Sequence, residues 1–127
     1  MADKKQKILI VDDSEMNRDI LAVMLGSDYE ILEAENGLEA IEILQQGMTD
    51  IDLILLDIMM PEMDGYEATR RIRALPDAKK AALPIVAMTA NAFEDDRKNA
   101  LHAGMNGHIA KPLDIQKLFQ VLSELLK

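Results

Sequence analysis

A chain of 127 residues is one domain with a single core, and the absence of cysteine excludes both a disulfide frame and a thiolate metal site. Half of the residues are hydrophobic but few are aromatic, so aliphatic and methionine side chains must fill the interior. The balance of 23 acids against 14 bases, a net charge of −9, argues against a general binder of nucleic acid or of anionic membranes. The first strand is Lys7-Ile8-Leu9-Ile10-Val11, ending abruptly at Asp12-Asp13. Ser14 then starts a helix whose apolar face is Ile20, Leu21, Met24 and Leu25, stopped by Gly26. Tyr29 to Ala34 reads as a weaker second strand, interrupted by Glu30 and Glu33. After the turn signal Asn36-Gly37 comes a helix with Ala40, Ile41 and Leu44 on one face, closed by Gly47.

Leu53 to Leu56, four aliphatic residues in a row, is the third strand, and Asp57 stands at its end. An uninterrupted apolar run suits a strand buried on both faces, as in a parallel sheet covered by helices on each side. Pro61 and Gly65 punctuate the loop after it. Tyr66 to Leu75 is helical, with Ile72 and Leu75 inward and Arg70, Arg71 and Arg73 mostly solvated. Pro76 to Leu83 is expected to be a loop. Pro84-Ile85-Val86-Ala87-Met88 is a fourth strand ending at Thr89, and Ala92 to Ala103 a polar helix stopped by Gly104. Gly107-His108-Ile109-Ala110 is a short fifth strand ending at Lys111-Pro112. Asp114 caps a last helix striped by Ile115, Leu118, Phe119, Leu122 and Leu125. Strand and helix alternate five times, which predicts an α/β fold with a parallel sheet flanked by five helices.

The carboxyl ends of those strands carry Asp12 and Asp13, Asp57, Thr89 and Lys111. In an open α/β sheet that edge is where ligands bind. Each residue alone has an ordinary explanation: a helix cap, a turn residue, a surface charge. Their joint arrival on one edge is harder to obtain by accident. Three carboxylates in one cleft repel one another, and a hard divalent cation relieves this. Mg²⁺ takes one or two carboxylates and completes its shell with waters and phosphate oxygens. An Asp beside such an ion is a nucleophile toward phosphorus, with a lysine and a hydroxyl to compensate the transferred charge. The inventory matches phosphoryl transfer, with Asp57 as acceptor, Asp12 and Asp13 for the ion, and Thr89 and Lys111 for the phosphoryl oxygens.

Over nearly its whole length the chain resembles the receiver domain of bacterial two-component response regulators, with hybrid sensor kinase receivers nearest in character. The resemblance is carried by Ile8 to Asp13, by Asp57-Ile58-Met59-Met60-Pro61-Glu62-Met63-Asp64-Gly65, by Met88-Thr89-Ala90 and by Lys111-Pro112. It implies a flavodoxin-like fold with sheet order 2-1-3-4-5. It implies phosphorylation of Asp57 by a histidine kinase or a histidine phosphotransfer protein. Asp13, Asp57 and the Met59 carbonyl would ligate Mg²⁺, with Asp12 holding metal-bound water. Thr89 and Lys111 would contact the phosphoryl group, and the Lys111-Pro112 bond would be cis. The switch would act through Thr89 and the residue three before the lysine, where receivers often have Tyr or Phe and this chain has His108. A downstream protein would bind the face of the fourth helix, fifth strand and fifth helix, with the chain a monomer or weak dimer. The domain would assist its own phosphorylation and dephosphorylation without being a turnover enzyme.

Two rival readings are a Mg²⁺-dependent phosphohydrolase and a flavodoxin-like cofactor binder. The first wants a second acid two residues after the nucleophile, where Met59 stands. The second wants a phosphate-cradling loop after the first strand, where Asp12-Asp13 would repel a phosphate. Met16 is near the acidic pair and off the apolar face of its helix, a place for docking a helical phosphodonor. The charged start Met1 to Lys5, the lack of any membrane-length apolar run and the helical end at Lys127 lead to the expectation of a cytoplasmic, non-membrane receiver domain over residues 1–127 with no output domain.

Overall fold

In a computed structural model the described residues are 6–46, 51–58, 63, 65–89, 98, 103–110 and 114–126. Five parallel strands form one sheet in the order β2-β1-β3-β4-β5. They are β1 (Lys7–Val11), β2 (Glu30–Ala34), β3 (Leu53–Asp57), β4 (Ile85–Thr89) and β5 (Gly107–Ala110). The register sets Val11 beside Ala34 and Leu56, Asp57 beside Met88, and Thr89 beside Ala110. Every residue of β3 and β4 is buried, as is all of β1 after Lys7. That is why these strands read as unbroken aliphatic runs: both faces of a parallel sheet are covered, so no polar alternation survives.

The side chains divide between the two faces with the strand period of two. Leu9, Val11, Ile54, Leu56, Ile85 and Ala87 pack with Ala40 and Leu44 of α2 (Gly37–Gln46) and Ala68 and Ile72 of α3 (Gly65–Arg73). Ile8, Ile10, Leu53, Leu55, Val86 and Met88 pack with Leu21 and Leu25 of α1 (Glu15–Leu25) and Leu118 and Leu122 of the last helix, Ile115–Leu125. The expected cap of that last helix is present: the Asp114 carboxylate accepts from the Gln116 and Lys117 amides.

Three sequence expectations are corrected. The stretch taken as a loop after Pro76 contains a short helix, α4 (Ala78–Ala81), because the Asp77 carboxylate accepts from the amides of Lys79 and Lys80; the Ile115–Leu125 helix is therefore α5. On α1, Ile20 is half exposed and lines up with exposed Met16 and Val23, while Leu21 and Leu25 alone are fully buried. Positions 16, 20 and 23 fall on one side of a 3.6-residue helix. The third correction is Arg73, taken as solvated. Its guanidinium is half buried and donates to the carbonyls of Gly104, Ala81 and Leu83 at 2.6–3.0 Å and to the Asn106 side-chain oxygen at 2.7 Å. Of the polar helix expected over Ala92 to Ala103, only Lys98 and Ala103 are among the described residues.

Candidate metal and phosphoacceptor site

β1 and β3 are adjacent and in register, so their carboxyl ends lie side by side. The chain places an acid at each end. Asp12, Asp13 and Asp57 each present a carboxylate oxygen within 4.8 Å of one another. Asp12 and Asp57 are buried, at 0% and 4% exposure, whereas Asp13 is exposed. Two of the three acids are thus buried and the third is open to solvent. Thr89, 2% exposed at the end of β4, follows Met88, the register neighbour of Asp57. Lys111, the Met59 carbonyl and the Lys111-Pro112 bond fall outside the described residues, as does Ala90. His108 is described and half buried on β5, beside Ala87.

The local chain explains how these acids are held. The Asp12 carboxylate accepts from the Ser14 amide at 2.9 Å, a turn in which an Asp side chain replaces a backbone carbonyl, and Asn17 Nδ2 approaches its other oxygen at 3.5 Å. Ser14 in turn accepts from the Asn17 amide and opens α1, whose positive end therefore lies beside the acidic pair. Ile58 donates to the Met88 carbonyl and Gly65 donates to the Ile58 carbonyl, so the loop leaving Asp57 returns onto its own strand end. Glycine is required at 65: a Cβ there would come within 2.8 Å of the Asp57 carbonyl oxygen and of the Ile58 Cα. Thr69, buried in α3, donates its hydroxyl to the Gly65 carbonyl at 2.8 Å.

Among the described residues the donor set is all oxygen, with carboxylates from two strand ends. That fits a hard dication such as Mg²⁺, which keeps several waters, better than zinc, which favours nitrogen or sulfur ligands. An open groove of about 530 Å³ lined by Gln6, Asp28, Tyr29 and Phe119 lies at the opposite end of the sheet and contains none of these groups.

Residue types, order and geometry together recur in one family. The response regulator receiver domain matches residues 8–123. The chain belongs to that family. It is 40% identical over 117 residues to the sensor histidine kinase RcsC of Salmonella typhi, covering 91% of this chain and 12% of that protein. The chain thus spans about an eighth of that relative's length. Among solved structures, it is 37% identical to the receiver domain of a Pseudomonas aeruginosa sensor histidine kinase, described with magnesium coordinated in its active-site cleft. That likeness has a TM-score of 0.83 and covers 96% of this chain and 98% of that one. A third relative is the receiver domain of Saccharomyces cerevisiae Ssk1, crystallised with the histidine phosphotransfer protein Ypd1. It is 28% identical with a TM-score of 0.84, covering 99% of this chain and 92% of that one. Receiver domains are regulators in two-component phosphorelays, and this receiver has the flavodoxin-like sheet order of its family. Among the described residues no helix is long and apolar enough to cross a membrane.

Two arginines escaped the sequence reading. Arg18 and Arg73 both donate to main-chain carbonyls, partners that no side-chain motif announces.

Proposed function

We propose that Asp57 is the phosphoacceptor of this receiver and that Asp12 and Asp13 complete a Mg²⁺ site beside it. The convergence of three carboxylates from two strand ends, next to a buried threonine, carries this reading. An Asp57 carboxylate oxygen attacks the phosphorus of a phosphohistidine on a histidine kinase or histidine phosphotransfer protein. The new O–P bond forms as the P–N bond breaks, and the imidazole leaves with its electron pair. Asp13, Asp57 and the Met59 carbonyl would hold Mg²⁺, with Asp12 behind them, and the ion would supply positive charge against the phosphoryl oxygens. Thr89 donates its hydroxyl and Lys111 its ammonium to the same oxygens.

Thr89 is one residue beyond the register partner of Asp57, so its movement toward a phosphoryl group pulls on the end of β4. The new charge thereby biases a two-state equilibrium in β4, His108 on β5 and the segment 92–103. A downstream protein reads that segment together with β5 and α5. The chain acts as reactant and aid in its own phosphorylation and dephosphorylation, in the cytoplasm, as a monomer or weak dimer.

The exposed stripe Met16, Ile20 and Val23 on α1 begins beside Asp13 and supports docking of a helical phosphodonor there. Intact mass after incubation with Mg²⁺ and a small phosphodonor tests the chemistry. One Mg²⁺-dependent phosphoryl adduct is expected in the wild type and none in Asp57→Asn; an adduct that persists in the variant excludes Asp57 as the acceptor. Met16→Asp is expected to slow transfer from a histidine phosphotransfer protein roughly tenfold, the effect of losing an apolar anchor, while leaving the small-donor adduct intact. An unchanged transfer rate rules out docking on this stripe.

A further inference from the structure

Resting on the metal reading above, we infer that Arg18, held by Glu33, is a positioning residue that presets Asp13 for the dication. In a parallel sheet the N–H and C=O of one residue point to the same neighbouring strand. The Asp12 amide donates to the Ala34 carbonyl at 3.1 Å, so the Asp12 carbonyl also faces β2. β2 ends at Ala34, before the ladder reaches that carbonyl. Arg18 Nη1 donates to the Asp12 carbonyl oxygen at 2.6 Å. Its Nε donates to Glu33 Oε1 at 3.1 Å, and the arginine side chain is only 12% exposed.

The Asp12 carbonyl belongs to the planar peptide that ends at the Asp13 Cα. Holding that oxygen therefore sets the position from which the Asp13 side chain departs. Asp13 is the exposed member of the cluster and gains most from such support. The guanidinium binds a carbonyl and leaves the cluster's carboxylates available to the ion. Glu33 offsets its positive charge, which by itself would oppose a dication nearby. A rigid, neutralised fork thus preorganises a ligand at little electrostatic penalty.

Calorimetric titration of the full chain with Mg²⁺ tests the inference. Arg18→Met is expected to raise the Mg²⁺ Kd about three- to tenfold, the usual range for loss of support behind a metal ligand. Arg18→Lys, a point donor that cannot serve Asp12 and Glu33 together, is expected to fall between. Glu33→Gln, at a half-exposed position that tolerates the change, is expected to weaken Mg²⁺ about two- to threefold, less so at high salt. The Mg²⁺ concentration for half-maximal phosphorylation should move by the same factors, while the rate recovers at saturating Mg²⁺. A merely structural arginine would lower thermal stability without that split. A tighter Kd in Arg18→Met means that repulsion dominates and overturns the inference, as does an unchanged Kd. If Arg18→Met does not fold, an unchanged Kd in Glu33→Gln overturns it alone. A wild-type chain that takes no Mg²⁺ brings down the metal reading itself, a different result from a wild type that binds and variants that bind equally.

Discussion

Arg18 and Arg73 bind main-chain carbonyls at opposite ends of the same sheet, and the two ends are built for different purposes. At the amino end, Arg73 gathers the carbonyls of Gly104, Ala81 and Leu83, and Asn106 accepts from both Arg73 and the Ile85 amide. The Asn106 amide returns a bond to the Ile85 carbonyl at 2.7 Å. Among the described residues the guanidinium has no carboxylate partner, and burial lowers its pKa below the ordinary arginine value. It remains a cation at any physiological pH, and its charge serves only to strengthen hydrogen bonds that join α3, α4 and the entries to β4 and β5. At the carboxyl end, buried acids crowd together instead. One end gathers carbonyls around a single cation, whereas the other brings three carboxylates within 4.8 Å of one another.

Breaking the amino-end bracket should have the largest effect on stability. Arg73→Met leaves several half-buried acceptors without their donor, which costs about 2–4 kcal/mol in denaturant unfolding. Arg73→Lys should recover only part, because one ammonium cannot span the three carbonyls. The Mg²⁺ affinity of folded Arg73→Met should stay within about twofold of wild type, since the bracket lies a strand length, roughly 15 Å, from the acids. A change in Mg²⁺ affinity matching that of Arg18→Met would show that the two ends are mechanically coupled and that the division of labour is wrong.

The division explains what could be read from the chain alone. β1, β3 and β4 were legible because burial on both faces leaves mostly aliphatic residues, and the acids ending β1 and β3 were legible because they arrive together on one edge of the sheet. The inward face of α1 was only half legible. Apolar residues at 16, 20, 21, 23, 24 and 25 permit two overlapping stripes, and only packing assigns Leu21 and Leu25 to the core and Ile20 to solvent. Helix α4 was missed because four residues give no periodic signal, so its sole mark was Asp77. Arg73 stands in the run Arg70-Arg71-Ile72-Arg73, where three cations at a helix end look alike. Arg70 and Arg71 do pair with Glu67 at the surface, while Arg73 turns inward to carbonyls supplied by distant loops. A side chain that answers a main-chain group has no partner residue type for a pattern to detect.

At the carboxyl end the expected sign is reversed. Asp13→Asn removes one negative charge from a group of three within 4.8 Å. The two remaining acids are buried, so screening by water is incomplete, and the relief amounts to about 1 kcal/mol. Without divalent ions the variant should melt higher than wild type by roughly 3–6 °C. Mg²⁺ held in the proposed site would favour the folded state, so it should raise the wild-type Tm with concentration and leave the variant, with its weakened site, nearly unmoved. The two melting curves should therefore cross as Mg²⁺ is added. An Asp13→Asn protein that melts lower than wild type in chelator would mean that the Asp13 carboxylate is held by favourable contacts and that the carboxyl end stores no repulsion. Crossing curves would show the opposite: the acids that weaken the empty domain are the same ones that make it respond to its ligand.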